Sequence, residues 1–159
     1  MHPRAADLIH TLALRPHPEG GHFTEVFKSP RRVQSAEGPE RSAVTSIYFL
    51  LAQGERSRWH RVSADEVWHF YEGDPLELVW EEQGDDVRRV QLGPVAMGRE
   101  QVAVVPAGAW QAARTHGAYT LVGCTVAPGF EFADFSLLVD VPAEAARLRN
   151  RYPELAELF

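Results

Sequence analysis

The chain has 159 residues, 45% of them hydrophobic and 24% charged, enough apolar side chain to bury a core and too much for an intrinsically disordered polymer. Sixteen Lys and Arg against 22 Asp and Glu leave a formal charge of -6, which argues against nucleic acid or an anionic membrane as partner. The one cysteine, Cys124, can form neither an internal disulfide nor a Cys-rich zinc site.

No charged-then-apolar leader opens the sequence, and no apolar run approaches the roughly 18 residues that span a bilayer. One domain over residues 1–159, in the cytoplasm, is the expectation. Leu8, Ile9 and Leu12 recur at helical spacing after Pro3, and the pattern stops at Arg15-Pro16-His17-Pro18-Glu19-Gly20-Gly21, where two prolines and two glycines bar a continuing helix. Residues 22–27 alternate as a strand does. Residues 29–40 read as a polar loop, long enough for a flexible flap.

From Ser42 the chain is a series of short β-rich runs, at 44–51, 59–62, 66–71, 76–80, 87–92, 101–105, 110–113, 119–126 and 135–139. Turn formers separate them: Gln53-Gly54, Gly73-Asp74-Pro75, Gln83-Gly84-Asp85-Asp86, Gly93-Pro94, Pro106-Ala107-Gly108, His116-Gly117 and Pro128-Gly129. Such even spacing predicts an antiparallel all-β sandwich or barrel. After Pro142 the run Ala143-Glu144-Ala145-Ala146-Arg147-Leu148-Arg149 is a strong helix former, interrupted at Pro153.

Gly54, five residues, His60, one residue, Val62, three residues, Glu66, six residues, Gly73 resembles the first motif of the cupin superfamily, with Val62 in place of its second histidine. Pro106-Ala107-Gly108 followed by Gln111 resembles the second motif, with Gln111 where a metal-binding cupin has its third histidine and Thr115 where the motif has asparagine. A narrower resemblance, to the Cupin 5 type of small acidic proteins, rests on His17-Pro18-Glu19-Gly20-Gly21, residues 45–51, Ser57-Arg58-Trp59-His60, residues 65–70, Gly73-Asp74-Pro75-Leu76, residues 105–111 and residues 122–130. The resemblance implies a cupin double-stranded β-helix (jelly-roll barrel) with short N- and C-terminal helices, commonly a homodimer, related in shape to nucleotide-sugar epimerases.

Alternate side chains of an antiparallel barrel enter its lumen. If His60 points inward so does Val62, and Glu66 brings Trp68 and Phe70 with it, while Val67, His69 and Tyr71 face out. Such a lumen is a ligand pocket in composition, unless Trp68 and Phe70 fill it as a solid core. A metal site of His60, Glu66 and Gln111 is conceivable, but Val62 offers no donor and an amide oxygen is a poor transition-metal ligand, so no metal and no cofactor are expected.

Without metal, His60 is a candidate general base oriented by Glu66, with Tyr48 as acid and Tyr71 as substitute if the parity slips. Equally, His60 only hydrogen-bonds Glu66. Arg58 brings a guanidinium to the barrel mouth or sits in a solvated loop or interface salt bridge. Arg114 falls on the other face of its strand, and Cys124 reads as a buried inert thiol. Glu19 belongs to a turn, or closes over a partner's pocket.

Two function classes follow. One is a metal-independent isomerase or epimerase acting on a sugar-like or other carbonyl compound; the other is a non-catalytic small-molecule binding protein, with a metal-dependent cupin oxygenase third. The expected partners are a small-molecule ligand and a second copy of the chain. The apolar outward residues Val67 and Tyr71 with His69 support the latter.

Overall fold

A computed structural model describes residues 1–34, 38–82 and 84–159. Helix α1 spans Pro3–Thr11, with Pro3 at its first turn and the His2 ring accepting from the Arg4 N–H. The strands that follow are β1 (Arg15–Pro16), β2 (His22–Lys28), β3 (Arg32–Gln34), β4 (Glu40–Ser42), β5 (Thr45–Ala52), β6 (Arg56–Arg61) and β7 (Asp65–Gly73). Then come β8 (Leu76–Glu81), β9 (Arg88–Leu92), β10 (Val102–Val105), β11 (Trp110–Thr115), β12 (Tyr119–Ala127) and β13 (Ser136–Leu137), before α2 (Pro142–Arg151) and a closing 3-10 segment, Pro153–Leu158.

Two antiparallel sheets carry the fold, ordered β1-β2-β5-β12-β7-β10 and β13-β6-β11-β8-β9. Their facing sides bury Phe49, Leu51, Trp68, Leu78 and Val122. The outer faces are covered in part. Helix α1 sets Ala5 and Leu8 against Leu50 and Leu121, and α2 with the closing 3-10 segment sets Leu148, Leu155 and Leu158 against Trp59, Val79 and Trp110. Strands β5 and β8 therefore read as nearly continuous apolar runs: Leu50 and Leu51 serve opposite faces, as do Leu78 and Val79.

Two expectations change. The polar stretch 29–40 is partly a ribbon, β3 paired with β4, and residues 35–37 lie outside the described residues, as does Gln83 of the expected turn signal. The run 135–139 is a strand only at β13, because Leu138 turns away to fill the cluster under α2 and the backbone coils into a 3-10 turn at Leu138–Asp140. Among the described residues no helix is long and apolar enough to cross a membrane.

Candidate functional site

A cavity of about 140 Å³ opens at one end between the sheets. Period two decides who faces it. On β5, Thr45, Ile47 and Phe49 line the cavity; on β7, Glu66 does; on β12, Cys124 and Val126 do. His60 and Val62 line it together, as the motif parity predicts.

His60 arrives through a bulge. Gln111 pairs with His60 and Ala113 with Ser57, so β6 carries one residue more than β11 between the two pairs, and Ser57 and His60 both point inward although three apart. The residues inside the bulge turn elsewhere. Trp59 enters the cluster under α2, and Arg58 braces the turn between β1 and β2: its backbone N–H donates to the Glu19 carbonyl at 2.9 Å and its Nη2 to the Pro18 carbonyl at 2.7 Å. Arg58 is thus a strut outside the cavity, correcting its placement among the ligand-binding residues.

That turn carries the acid which the strand pattern does not place. Glu19 is 6% exposed and lies in this chain's own cavity. The Ser57 hydroxyl donates to its Oε1 at 2.7 Å, and its Oε2 lies 3.3 Å from His60 Nε2 and 3.4 Å from His17 Nδ1. Two contacts assign the protons. His60 Nδ1 stands 2.8 Å from the Arg58 carbonyl and must be the N–H, leaving a lone pair on Nε2; His17 Nδ1 accepts from the Glu19 N–H at 3.2 Å and is also a lone pair. A carboxylate oxygen facing two lone pairs would be repelled, whereas a carboxyl O–H donates. The electrostatics agree. Burial pushes Glu19 up to about 8, against the opposing Ser57 hydrogen bond and Arg58 charge, while burial pulls His60 down against the pull of Glu66. Burial, with His60 next, takes His17 down to about 4.

Glu66 is held from behind. Trp68 Nε1 donates to Gln111 Oε1 at 3.0 Å, which fixes the amide so that its Nε2 donates to Glu66 Oε2 at 2.6 Å. Burial, reinforced by Glu19, raises the Glu66 carboxyl, and His60, Gln111 and the Cys124 thiol oppose the shift. This tests the cupin metal set directly. Gln111, expected among the ligand-binding residues, stands behind the cavity lining with its oxygen spent on Trp68 and its N–H on Glu66, and Val62 offers no donor, so the residues at the cupin ligand positions do not fit a transition ion. Among the described residues, no group of three or more His, Cys, Asp or Glu side chains is arranged to hold one.

The remaining expected site residues sit elsewhere. Trp68, 1% exposed, and Phe70 pack in the core between the sheets. Tyr48 is a correction: between Ile47 and Phe49, it faces the opposite side of β5, where it meets Tyr71 edge-on at 5.9 Å and packs toward α1. Neither tyrosine can serve as an acid inside the barrel. The orienter of His60 is the Arg58 carbonyl, where Glu66 was expected.

An aromatic collar was also missed. Phe135 stacks on His60 at 5.6 Å, Phe23 meets His17 edge-on at 4.5 Å, and Phe130 and Phe132 close the ring at 5.0 Å from each other. The signal was the density of Phe130, Phe132 and Phe135 within six residues. Arg15 and Glu25 stand exposed at the rim.

The titrations make a prediction. Glu19 keeps, in the folded state, a proton that the unfolded chain releases from about 4.5 upward, so its stability contribution falls as pH rises toward about 8. His17 acts in reverse, losing stability only as pH falls from 6.5 toward about 4. Above pH 6.5 Glu19 dominates, with Glu66 acting in the same direction. Urea midpoints are expected to fall between pH 6.5 and 8, with a slope on the order of 1 kcal/mol per pH unit. Glu19→Gln should flatten that slope; an unchanged slope in the variant would overturn the protonation assignment.

A family model and solved structures place the chain. A family model described as Cupin superfamily (DUF985) matches residues 6–138. No curated protein matches at a significant level. A structure titled a hypothetical protein from Leishmania major is 35% identical, covering 94% of this chain and 93% of its own, with a TM-score of 0.80. A Shewanella oneidensis protein is 38% identical over 84% and 83%, with a TM-score of 0.75. Oxalate decarboxylase from Bacillus subtilis, 13% identical over 91% of this chain and 36% of its own at a TM-score of 0.60, shares the fold. The jelly-roll of two sheets and the match over residues 6–138 agree, and the chain belongs to the Cupin_5 family of the cupin superfamily.

Proposed function

We propose that the chain binds a small carbonyl compound in the barrel and isomerises it by proton transfer, with Glu19 and His60 as the acid-base pair. The supporting observation is their contact, 3.3 Å between Oε2 and Nε2, beside an otherwise largely apolar cavity. A carboxyl with a pKa near 8 is poised to exchange protons at neutral pH. Moving its proton to His60 Nε2 leaves a carboxylate that can take a proton from the carbon beside the carbonyl. The imidazolium stabilises the enolate, and the carboxyl returns the proton to another carbon of the delocalised anion, which gives the isomer, whereas return to the same carbon gives exchange alone.

The test is deuterium incorporation beside the carbonyl of hydroxyacetone and acetophenone in heavy water, followed by NMR. Exchange above buffer should fall on the order of 100-fold in Glu19→Gln and in His60→Ala. Exchange unchanged by both variants would overturn the assignment. Binding without exchange would favour the second reading, a non-catalytic binding protein, which gains support from the saturation of Glu19, Ser57 and His60 by one another.

We also propose that the outer face of the larger sheet pairs two copies of the chain. Phe27, Tyr71, Val102 and Val104 are about half exposed there. Sedimentation equilibrium should show a dimer at micromolar concentration; a 17.8 kDa species would refute it.

A further inference from the structure

We infer that the ligand of this cavity is a compact, apolar-bodied molecule with a single hydrogen-bonding head, of the size of a monocyclic aryl ketone, and not a sugar. The inference rests on the reading of the cavity as the ligand site and narrows its substrate class.

The first argument is volume. A cavity of about 140 Å³ is close to the size that accepts benzene in an engineered apolar core, and well below the hundreds of Å³ of a typical cofactor pocket. The second is satisfaction of polar groups. Glu19 is taken by Ser57 and His60, Glu66 by Gln111, and the Thr45 hydroxyl by the Phe130 N–H at 2.9 Å. A sugar brings four or five hydroxyls, each needing a partner once buried, and would find the deepest groups, Glu19, His60 and one oxygen of Glu66, already engaged. A ketone brings one acceptor, which the Glu19 O–H can meet by giving up only its contact to the histidine lone pairs.

The third argument is the arrangement along the cavity axis. The buried groups Glu19, His60 and Glu66 lie deepest, between 2% and 7% exposed, whereas Phe132 at the rim is 51% exposed. Phe130 and Phe135, with Phe132, present ring edges and faces 5.0 to 6.2 Å apart. Aromatic rings favour such offset and edge-on neighbours, so a flat body seats among them with its polar head inward. A polyol would gain only the weaker contacts of its C–H edges.

The experiment is a titration of the whole chain with acetophenone and with L-rhamnose as the two probes, followed by calorimetry and by changes in aromatic proton shifts. Acetophenone should bind at least about 100-fold more tightly than L-rhamnose. Val62→Phe, which fills the cavity, should abolish acetophenone binding; should that variant not fold, Phe132→Ala at the exposed rim should weaken it about tenfold. Equal or tighter binding of rhamnose would overturn the inference while leaving a ligand site in place. Acetophenone binding that survives the variants, or no acetophenone binding at all, would overturn it as well. The proton-transfer reading fails separately, through absence of deuterium exchange in a carbonyl compound that does bind.

Discussion

Replacing Arg147 with Met is expected to cost about 3 kcal/mol of folding stability, read from the urea midpoint at constant m-value. Glu81 ends β8 with its side chain fully buried beneath α2, and both its oxygens are held by Arg147, Oε2 at 2.9 Å from Nη2. The arginine can shed its charge into water, being 38% exposed, but the glutamate cannot. Removing the cation therefore strands a buried carboxylate, which is far costlier than the net worth of the pair. The double change Glu81→Leu with Arg147→Met removes both charges and should recover most of the loss. A single variant within 1 kcal/mol of the parent would show that Glu81 reaches water without its partner.

Gly20→Ala is expected to cost about 2 kcal/mol and to reduce proton exchange and ligand binding together. Gly20 has φ +113°, and a Cβ built there would stand 2.1 Å from the Arg56 carbonyl oxygen, so the turn must lift off β6. Glu19, the residue before it, must move with the turn and lose its contacts to Ser57 and His60. Gly54→Ala is the control: its φ is +82°, yet a Cβ meets nothing within 4 Å, so only backbone strain of about 1 kcal/mol is expected and the site stays intact. Equal effects of the two substitutions on exchange would mean that close packing of the Glu19 turn has no bearing on the site.

The same turn shows where local reading stops. Its glycines announce a break in the chain, and the β-runs on either side alternate, so the existence of the turn follows from local conformational preference. That Glu19 enters the cavity does not. It depends on the bulge in β6, whose extra residue sends Ser57 and His60 inward and leaves Arg58 to clamp the turn from outside. A bulge is a mismatch between two strands far apart in sequence, and neither strand alone reveals it. Tyr48 illustrates the opposite difficulty: its face of β5 is covered by α1 as the other is by the core, so apolarity no longer tells inside from outside and parity has to be counted from a known neighbour.

What the sequence by itself determined is most of the strands and turns of the two large sheets, the terminal helices, and the shared inward parity of His60, Val62 and Glu66, because period-two alternation and turn chemistry act over a few residues. Only the tertiary structure decided which acid meets His60, why Gln111 faces Glu66 with its N–H, and that Trp68 and Phe70 belong to the core while Phe130, Phe132 and Phe135 form the mouth. Those outcomes turn on strand register, a bulge and long-range packing, which bring together residues as far apart as His17 and Phe135, and on burial, which sets the protonation of Glu19 and His60 only once the two are enclosed.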